Sequence, residues 1–187
     1  MATTGDFRIG MVIRFNGELH RIEEYIHRTP GNLRAFVQAK LRNLKTGRIT
    51  ETRYRSGEEV EEVRVEQKEF QYLFHDGASF QFMDKQSYEQ MPVDEKVLGE
   101  GAKFIKEGET VQLQMVGLDI VGAELPYNVE LKVTETVPGV KGDTATGAQK
   151  PATLETGATI NVPLFINEGD TIRVDVRTGK YLERANS

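Results

Sequence analysis

Phe104-Ile105-Lys106-Glu107-Gly108-Glu109-Thr110-Val111-Gln112-Leu113-Gln114-Met115 returns 61 positions later as Phe165-Ile166-Asn167-Glu168-Gly169-Asp170-Thr171-Ile172-Arg173-Val174-Asp175-Val176. Five positions are identical and several others exchange like for like. A match of this length indicates two units of similar fold. At about 60 residues each, with strand-like alternation and a Gly turn before the strand, they suit five-stranded OB-type barrels. The plainer alternative is that Glu-Gly-Asp/Glu-Thr is a common hairpin turn met twice by chance, and the length of the match weighs against it.

Upstream of the repeat, short strand patterns separated by turn dipeptides dominate, and no long stretch keeps a helical period. The expected class is all-β. Val12 to Phe15 and Leu19 to Ile22 flank Asn16-Gly17, a pair suited to positive φ in a tight hairpin. Pro30-Gly31 marks the next turn. Beyond it Ala35, Val37, Ala39 and Leu41 alternate with Phe36, Gln38, Lys40 and Arg42, which places small apolar groups on one strand face and bases on the other. Lys45 to Arg48 turns into Ile49 to Arg55, where Arg53 and Arg55 share a face. These strands read as a small SH3-like barrel. Glu58-Glu59-Val60-Glu61-Glu62 reads as a linker or a short helical turn, with a boundary near residue 65. Phe70 to Phe74 and Ser79 to Met83 form a further hairpin through His75-Asp76-Gly77, and residues 87 to 101 have room for one short helix.

The net charge of −5 divides unevenly. Residues 1 to 57 hold 11 Lys and Arg against 5 Asp and Glu, a balance of +6; residues 58 to 187 hold 13 against 24, a balance of −11. Between 28 and 55, eight basic residues face only Glu51. Against ordinary scatter of surface charge, this asymmetry suggests a basic first third that meets a polyanion. Arg34, Lys40, Arg42, Lys45, Arg48, Arg53 and Arg55 can neutralise phosphates, while the loop at Pro30 to Leu33 can project as a probe. A solvated basic sheet face with an ordinary hairpin tip is the alternative.

The residues offer little for catalysis. The absence of cysteine removes disulfides, thiolate metal sites and thiol nucleophiles, and fits a reducing cytoplasm better than secretion. Met1 to Gly10 carries no apolar signal region, and no apolar run approaches the ~20 residues of a membrane span, so a soluble, untargeted chain is expected. His20, His27 and His75 lack the spacing of a metal site and read as surface or turn residues. No nucleophile elbow, phosphate loop or dinucleotide fingerprint occurs. The acidic pairs Glu58-Glu59 and Glu61-Glu62 read as a solvated face rather than a general acid and base. No enzyme activity, metal or cofactor is expected.

His27-Arg28-Thr29-Pro30-Gly31, Ala35-Phe36 and Lys40-Leu41-Arg42-Asn43-Leu44 resemble the first domain of the elongation factor P family. Phe82-Met83-Asp84 with Tyr88-Glu89-Gln90 resembles its second. Lys150-Pro151-Ala152, Glu155-Thr156-Gly157, Ile160 to Ile166 and Glu168-Gly169-Asp170 resemble the signature of its third. The resemblance covers about Asp6 to Arg184. It implies an SH3-like, KOW-type domain over 1–64 with a tip loop, a central OB domain over 65–127 and a C-terminal OB domain over 128–187, in an L-shaped molecule of tRNA-like outline.

The resemblance further implies a monomeric cytoplasmic translation factor with no small-molecule substrate and no membrane partner. Its partners would be both subunits of the ribosome and the P-site peptidyl-tRNA. It would enter between the P and E sites and stimulate peptide-bond formation, relieving stalling at consecutive prolines. Proline transfers poorly because its ring fixes φ and hinders its nitrogen. The tip Pro30, Gly31, Asn32, Leu33 and Arg34 would steady the CCA end of the peptidyl-tRNA, an orientation effect, while the ribosome supplies the catalysis. Arg28, Lys40, Arg42, Arg53 and Arg55 would contact RNA backbone. Pro138, Gly139, Gly142, Asp143 and Thr144 would face the E-site codon and small subunit, where glycines suit close approach to RNA; a flexible turn is the alternative. Tyr181 and Arg184 would approach the tRNA elbow, although a strand-end aromatic and a surface Arg have the same appearance.

One position departs from the family pattern. Many members carry a lysine or arginine two residues after the loop proline, and that side chain is enzymatically lengthened. Here the position is Asn32, which offers no amine and no guanidinium, so the tip is expected to work unmodified, with Leu33 or Arg34 altering its reach. A general RNA-binding tandem OB protein is the competing reading. It would show exposed aromatic platforms, whereas Phe70, Tyr72, Phe74, Phe80 and Phe82 sit in strand patterns that read mostly as core.

Overall fold

The structure, a computed structural model, describes residues 1–31, 34–139 and 147–185. Asn32 and Leu33 of the tip, and Gly142, Asp143 and Thr144 of the later loop, lie outside the described residues. The chain forms two compact units, one of residues 1–67 with 114–122 and one of 68–113 with 123–187.

In the first unit, β1 (Ala2–Thr3), β2 (Val12–Phe15), β3 (Glu18–Arg28), β4 (Phe36–Asn43), β5 (Ile49–Arg55) and β6 (Glu59–Glu62) form one antiparallel sheet in the order β1-β6-β2-β3-β4-β5. The β2–β3 hairpin turns at Asn16 (φ 53°) and Gly17 (φ 81°), and its register pairs Phe15 with Glu18. Both central residues have the positive φ that a two-residue turn matching strand twist requires. On β4 the alternation holds: Val37, Ala39 and Leu41 are buried against Phe7, Met11, Ile13, Ile22 and Tyr54, while Phe36, Gln38, Lys40 and Arg42 lie on the other face. Phe7 meets Tyr54 edge to face, centroids 5.4 Å apart. Residues 114–122 are held to this unit by Arg21, whose Nη2 donates to Gln114 Oε1 at 2.8 Å and to the Val121 carbonyl at 3.3 Å.

Two expectations are corrected here. Glu59 to Glu62 is neither linker nor helical turn. It is strand β6, paired with β1 and β2, with Val60 buried in the core and its three glutamates turned to solvent. One inward side chain in four residues is too little alternation to read as a strand. His20 is buried rather than at the surface, edge to face with Phe15 and with Nδ1 3.1 Å from the Glu18 carbonyl.

The second sheet runs β11-β10-β7-β8-β9, from β7 (Glu66–His75), β8 (Phe80–Asp84), β9 (Gln90–Val93), β10 (Thr110–Val116) and β11 (Asp119–Glu124). Residues 87–101 hold both β9 and the short helix α1 (Glu95–Leu98), capped by Asp94, whose Oδ1 accepts from the Lys96 N–H at 2.8 Å. Pro92 is tolerated because β9 is an edge strand. Phe70, Tyr72 and Phe82 are core, whereas Phe74 is exposed. The third sheet, order β14-β13-β12-β15-β16, comprises β12 (Asn128–Thr136), β13 (Gln149–Leu154), β14 (Thr159–Pro163), β15 (Thr171–Asp175) and β16 (Lys180–Arg184). Contacts of β14 with β16 bring its two edges together as a barrel. Its core includes Leu131, Val133, Leu154, Val162, Ile166, Ile172 and Val174, joined by Phe104.

The repeat is structural as well as sequential. Gly108 (φ 87°) donates to the Tyr72 carbonyl and Gly169 (φ 90°) to the Val133 carbonyl, at 2.8 and 2.9 Å. Tyr72 N–H donates to Glu109 and Val133 N–H to Asp170, both at 2.8 Å. Tyr72 and Val133 are themselves 61 apart, and each opens a register shift against its neighbouring strand, between Tyr72 and Phe74 and between Val133 and Glu135. The offset thus extends upstream of the repeated sequence into strands whose one identity at that spacing is Glu69 with Glu130.

Candidate nucleic-acid interface

Cross-strand register orders the outer face of β3, β4 and β5 into rows, because directly paired residues point to the same side of a sheet. Next to the tip, Arg28 pairs with Phe36 and Phe36 with Arg55. One step along, Ile26 pairs with Gln38 and Gln38 with Arg53. The third row is Glu24, Lys40 and Glu51. At ~3.3 Å per residue, Lys40 lies roughly 13 Å along the strand from Phe36.

Charge changes along these rows. Lys40 Nζ sits 2.6 Å from Glu24 Oε2 and 4.0 Å from Glu51 Oε1, and the hydrogen bond and charge of Glu24 hold its amine above the ordinary lysine range. Arg42 Nε donates to Glu23 Oε1 at 2.9 Å. A register shift between Ile22 and Glu24 brings Glu23 to Arg42. By contrast Arg28, Arg53 and Arg55 are exposed and form no salt bridge among the described residues. Glu58, the acid nearest Arg55 in sequence, accepts instead from its backbone N–H at 2.7 Å. The Arg53 guanidinium lies over the Phe36 ring, 3.5 Å from its centroid. The cationic face is therefore concentrated at the tip end, where Gly31 and Arg34 are also exposed, and answered by carboxylates farther along. Of the five expected backbone contacts, Arg28, Arg53 and Arg55 gather beside the tip; Lys40 and Arg42 do not.

Sequence reasoning set Phe36 on this face with Gln38, Lys40 and Arg42 but gave it no part in binding, although an aromatic at a polar position of the alternation was a visible signal. It also missed Lys150. In β13, Lys150, Ala152 and Leu154 all face the core, and Lys150 pairs with buried Val162. Its amine donates to the Val137 carbonyl at 2.6 Å. Beside it Thr136 Oγ1 donates to the Pro151 carbonyl at 2.9 Å, and a Cβ on Gly139 would stand 2.8 Å from the Leu164 carbonyl oxygen. Pro138 and Gly139 thus leave β12 from a fixed stem. Tyr181 packs half-buried against the third barrel's core, and Arg184 Nη1 lies 3.8 Å from Asp170 Oδ2.

Strongly shifted groups elsewhere have structural causes. The Ser79 and Ala78 N–H groups and the Gln81 amide pull Asp76 down to about 2, within the β7–β8 turn. Burial, with Glu58 second, pushes the Tyr54 phenol up to about 12. Asp76 sits in an exposed turn and Tyr54 in the first unit's core. Among the described residues, no group of three or more His, Cys, Asp or Glu could hold a metal ion, and no helix is long and apolar enough to cross a membrane.

Comparison with known proteins agrees with this architecture. Residues 3–60 match the Elongation factor P (EF-P) KOW-like domain, 65–123 the Elongation factor P (EF-P) OB domain and 129–184 the Elongation factor P C-terminal domain. A protein named Elongation factor P from Chloroherpeton thalassium is 52 % identical over 186 residues, 99 % of each chain. One of the same name from Chloroflexus aggregans is 51 % identical over 184 residues, 97 % of each. Among solved structures, eukaryotic translation initiation factor 5A from Methanococcus jannaschii superposes with a TM-score of 0.53 at 21 % identity, over 65 % of this chain and 94 % of that one, a likeness of fold.

Proposed function

We propose, for a chain that belongs to the elongation factor P family and is a ribosome-binding translation elongation factor rather than an enzyme, that it acts between the P and E sites, steadies the P-site peptidyl-tRNA and relieves stalling at consecutive prolines. The observation that carries this reading is the concentration of unanswered cationic charge beside the β3–β4 tip in a protein of net charge −5. Arg28, Arg53 and Arg55 neutralise phosphates of the tRNA, so that the tip is held at its CCA end. The gain is orientational: positioning a reluctant prolyl group removes part of the barrier without an added catalytic group. Lys40 and Arg42 contribute less, because phosphate must displace Glu24, Glu51 and Glu23 from them.

On this reading the chain works as three domains, 1–64, 65–127 and 128–187, in keeping with its three sheets and the three matched segments. It acts as a cytoplasmic monomer touching both subunits. The stem at Val137 to Gly139 presents its loop to the E-site codon and small subunit, and Tyr181 and Arg184 approach the tRNA elbow.

Co-sedimentation tests the reading. The chain is expected to pellet with ribosomes holding peptidyl-tRNA in the P site and a vacant E site, and to bind free single-stranded RNA far more weakly. Equal binding to both would favour the general RNA-binding alternative and contradict the proposal.

A further inference from the structure

We infer that Arg53, laid flat on Phe36, is a stacking platform for one unpaired nucleobase, and that Arg28 and Arg55 hold the phosphates beside it. The inference rests on the reading of the first barrel as RNA-facing and specifies what that face takes: a single-stranded segment of RNA rather than the backbone of a duplex.

A guanidinium 3.5 Å above a ring centroid has one face covered. Arg53 is nonetheless exposed, on β5, which is an edge strand, so its other face is open to a planar ligand. The ring fixes the guanidinium plane in advance. A base stacking there pays little of the ordering cost that a free arginine side chain would incur. The pair is not needed to hold the strand, since seven register pairs already join β5 to β4. Nor is the neighbouring charge incidental. Glu23, Glu24 and Glu51 answer Lys40 and Arg42 on the same face, yet no carboxylate among the described residues answers Arg28, Arg53 or Arg55. An aromatic-backed cation flanked by two free arginines suits a ligand whose flat apolar faces alternate with phosphates, which is single-stranded nucleic acid.

The test is binding of the full chain to ribosomes carrying peptidyl-tRNA, measured across a range of salt concentrations. Arg53→Lys keeps the charge and loses the plane, and Phe36→Leu removes the ring beneath it. Each is expected to weaken binding roughly tenfold, the scale of one stacked base, with the slope of log affinity against log salt unchanged. Arg28→Ala and Arg55→Ala should each flatten the salt slope by about 0.7, the value for a single-strand phosphate contact. If those two flatten the slope while Arg53→Lys binds normally, the RNA-facing reading stands and the platform is overturned. If none of the arginine variants changes affinity or slope, the reading itself fails and the inference with it. Because the chain has no cysteine, Gln38→Cys supplies a single thiol in the Arg53 row for a short photo-cross-linker. A cross-link to RNA is expected; one to a ribosomal protein instead would overturn the inference.

Discussion

The Lys150 amine reaches the Val137 carbonyl at 2.6 Å from a strand position whose neighbours of the same parity, Ala152 and Leu154, are buried apolar side chains. The aliphatic stem fills a core site while the ammonium closes the end of the barrel. Lys150→Ala loses both and is expected to destabilise the protein by about 2–4 kcal/mol. Lys150→Met keeps the packing and should recover much of that loss. Urea unfolding of the two variants measures the difference, and a Met variant as unstable as the Ala variant would contradict this division of roles.

Gly101 is required for space rather than for backbone freedom. A Cβ there would lie 2.6 Å from Leu125 Cδ1 and 2.7 Å from Val176 Cγ1. Gly101→Ala is expected to cost about 1–3 kcal/mol by overpacking. Pairing it with Leu125→Ala should return part of the loss, which a double-mutant cycle of thermal or urea unfolding would detect.

Asp76 gives the β7–β8 hairpin a defined acid response. The N–H groups of Ser79 and Ala78 and the Gln81 amide favour its carboxylate and lower its pKa from the ordinary 3.8 to about 2. A depressed folded pKa means a contribution fully present above about pH 4 and lost as the pH falls through about 2. Carboxyl-carbon NMR should place the Asp76 midpoint near the lower value. Asp76→Asn should remove this group's share of the pH dependence of stability in that window, leaving that of Asp6, Asp84 and Asp175, whose carboxyls backbone N–H groups also hold below the ordinary range, and an ordinary midpoint would contradict the hydrogen-bonding pattern of the turn.

At Asn32 there is no amine to acylate and no guanidinium to glycosylate. The tryptic peptide Thr29–Arg34 from protein purified from its native cell is therefore expected at its unmodified mass. An adduct on that peptide would show that the tip is extended by other means.

What the sequence made legible was whatever is local or periodic. Asn16-Gly17, the β4 alternation and the 61-residue repeat each reflect a rule that acts over a few residues, and each appears in the fold. Strand β6 was not legible because its place depends on β1 and β2, from the far end of the same unit, and only Val60 faces inward. The basic face was legible as composition but not as a site. Which cations are answered depends on the register that sets Glu24 and Glu51 against Lys40, and on the shift that delivers Glu23 to Arg42. Phe36 and Lys150 were readable as exceptions to their own strand patterns, but only the fold shows what each exception serves.

The central claim is that the chain accelerates peptide-bond formation where consecutive prolines stall it. The most direct measurement is the rate of full-length synthesis in reconstituted translation of a message encoding three consecutive prolines, with and without the protein, alongside a proline-free message and the Asn32→Ala and Arg34→Ala variants. The account predicts a marked acceleration on the proline message alone, lost in at least one of the variants. Equal rates with and without the protein would contradict it.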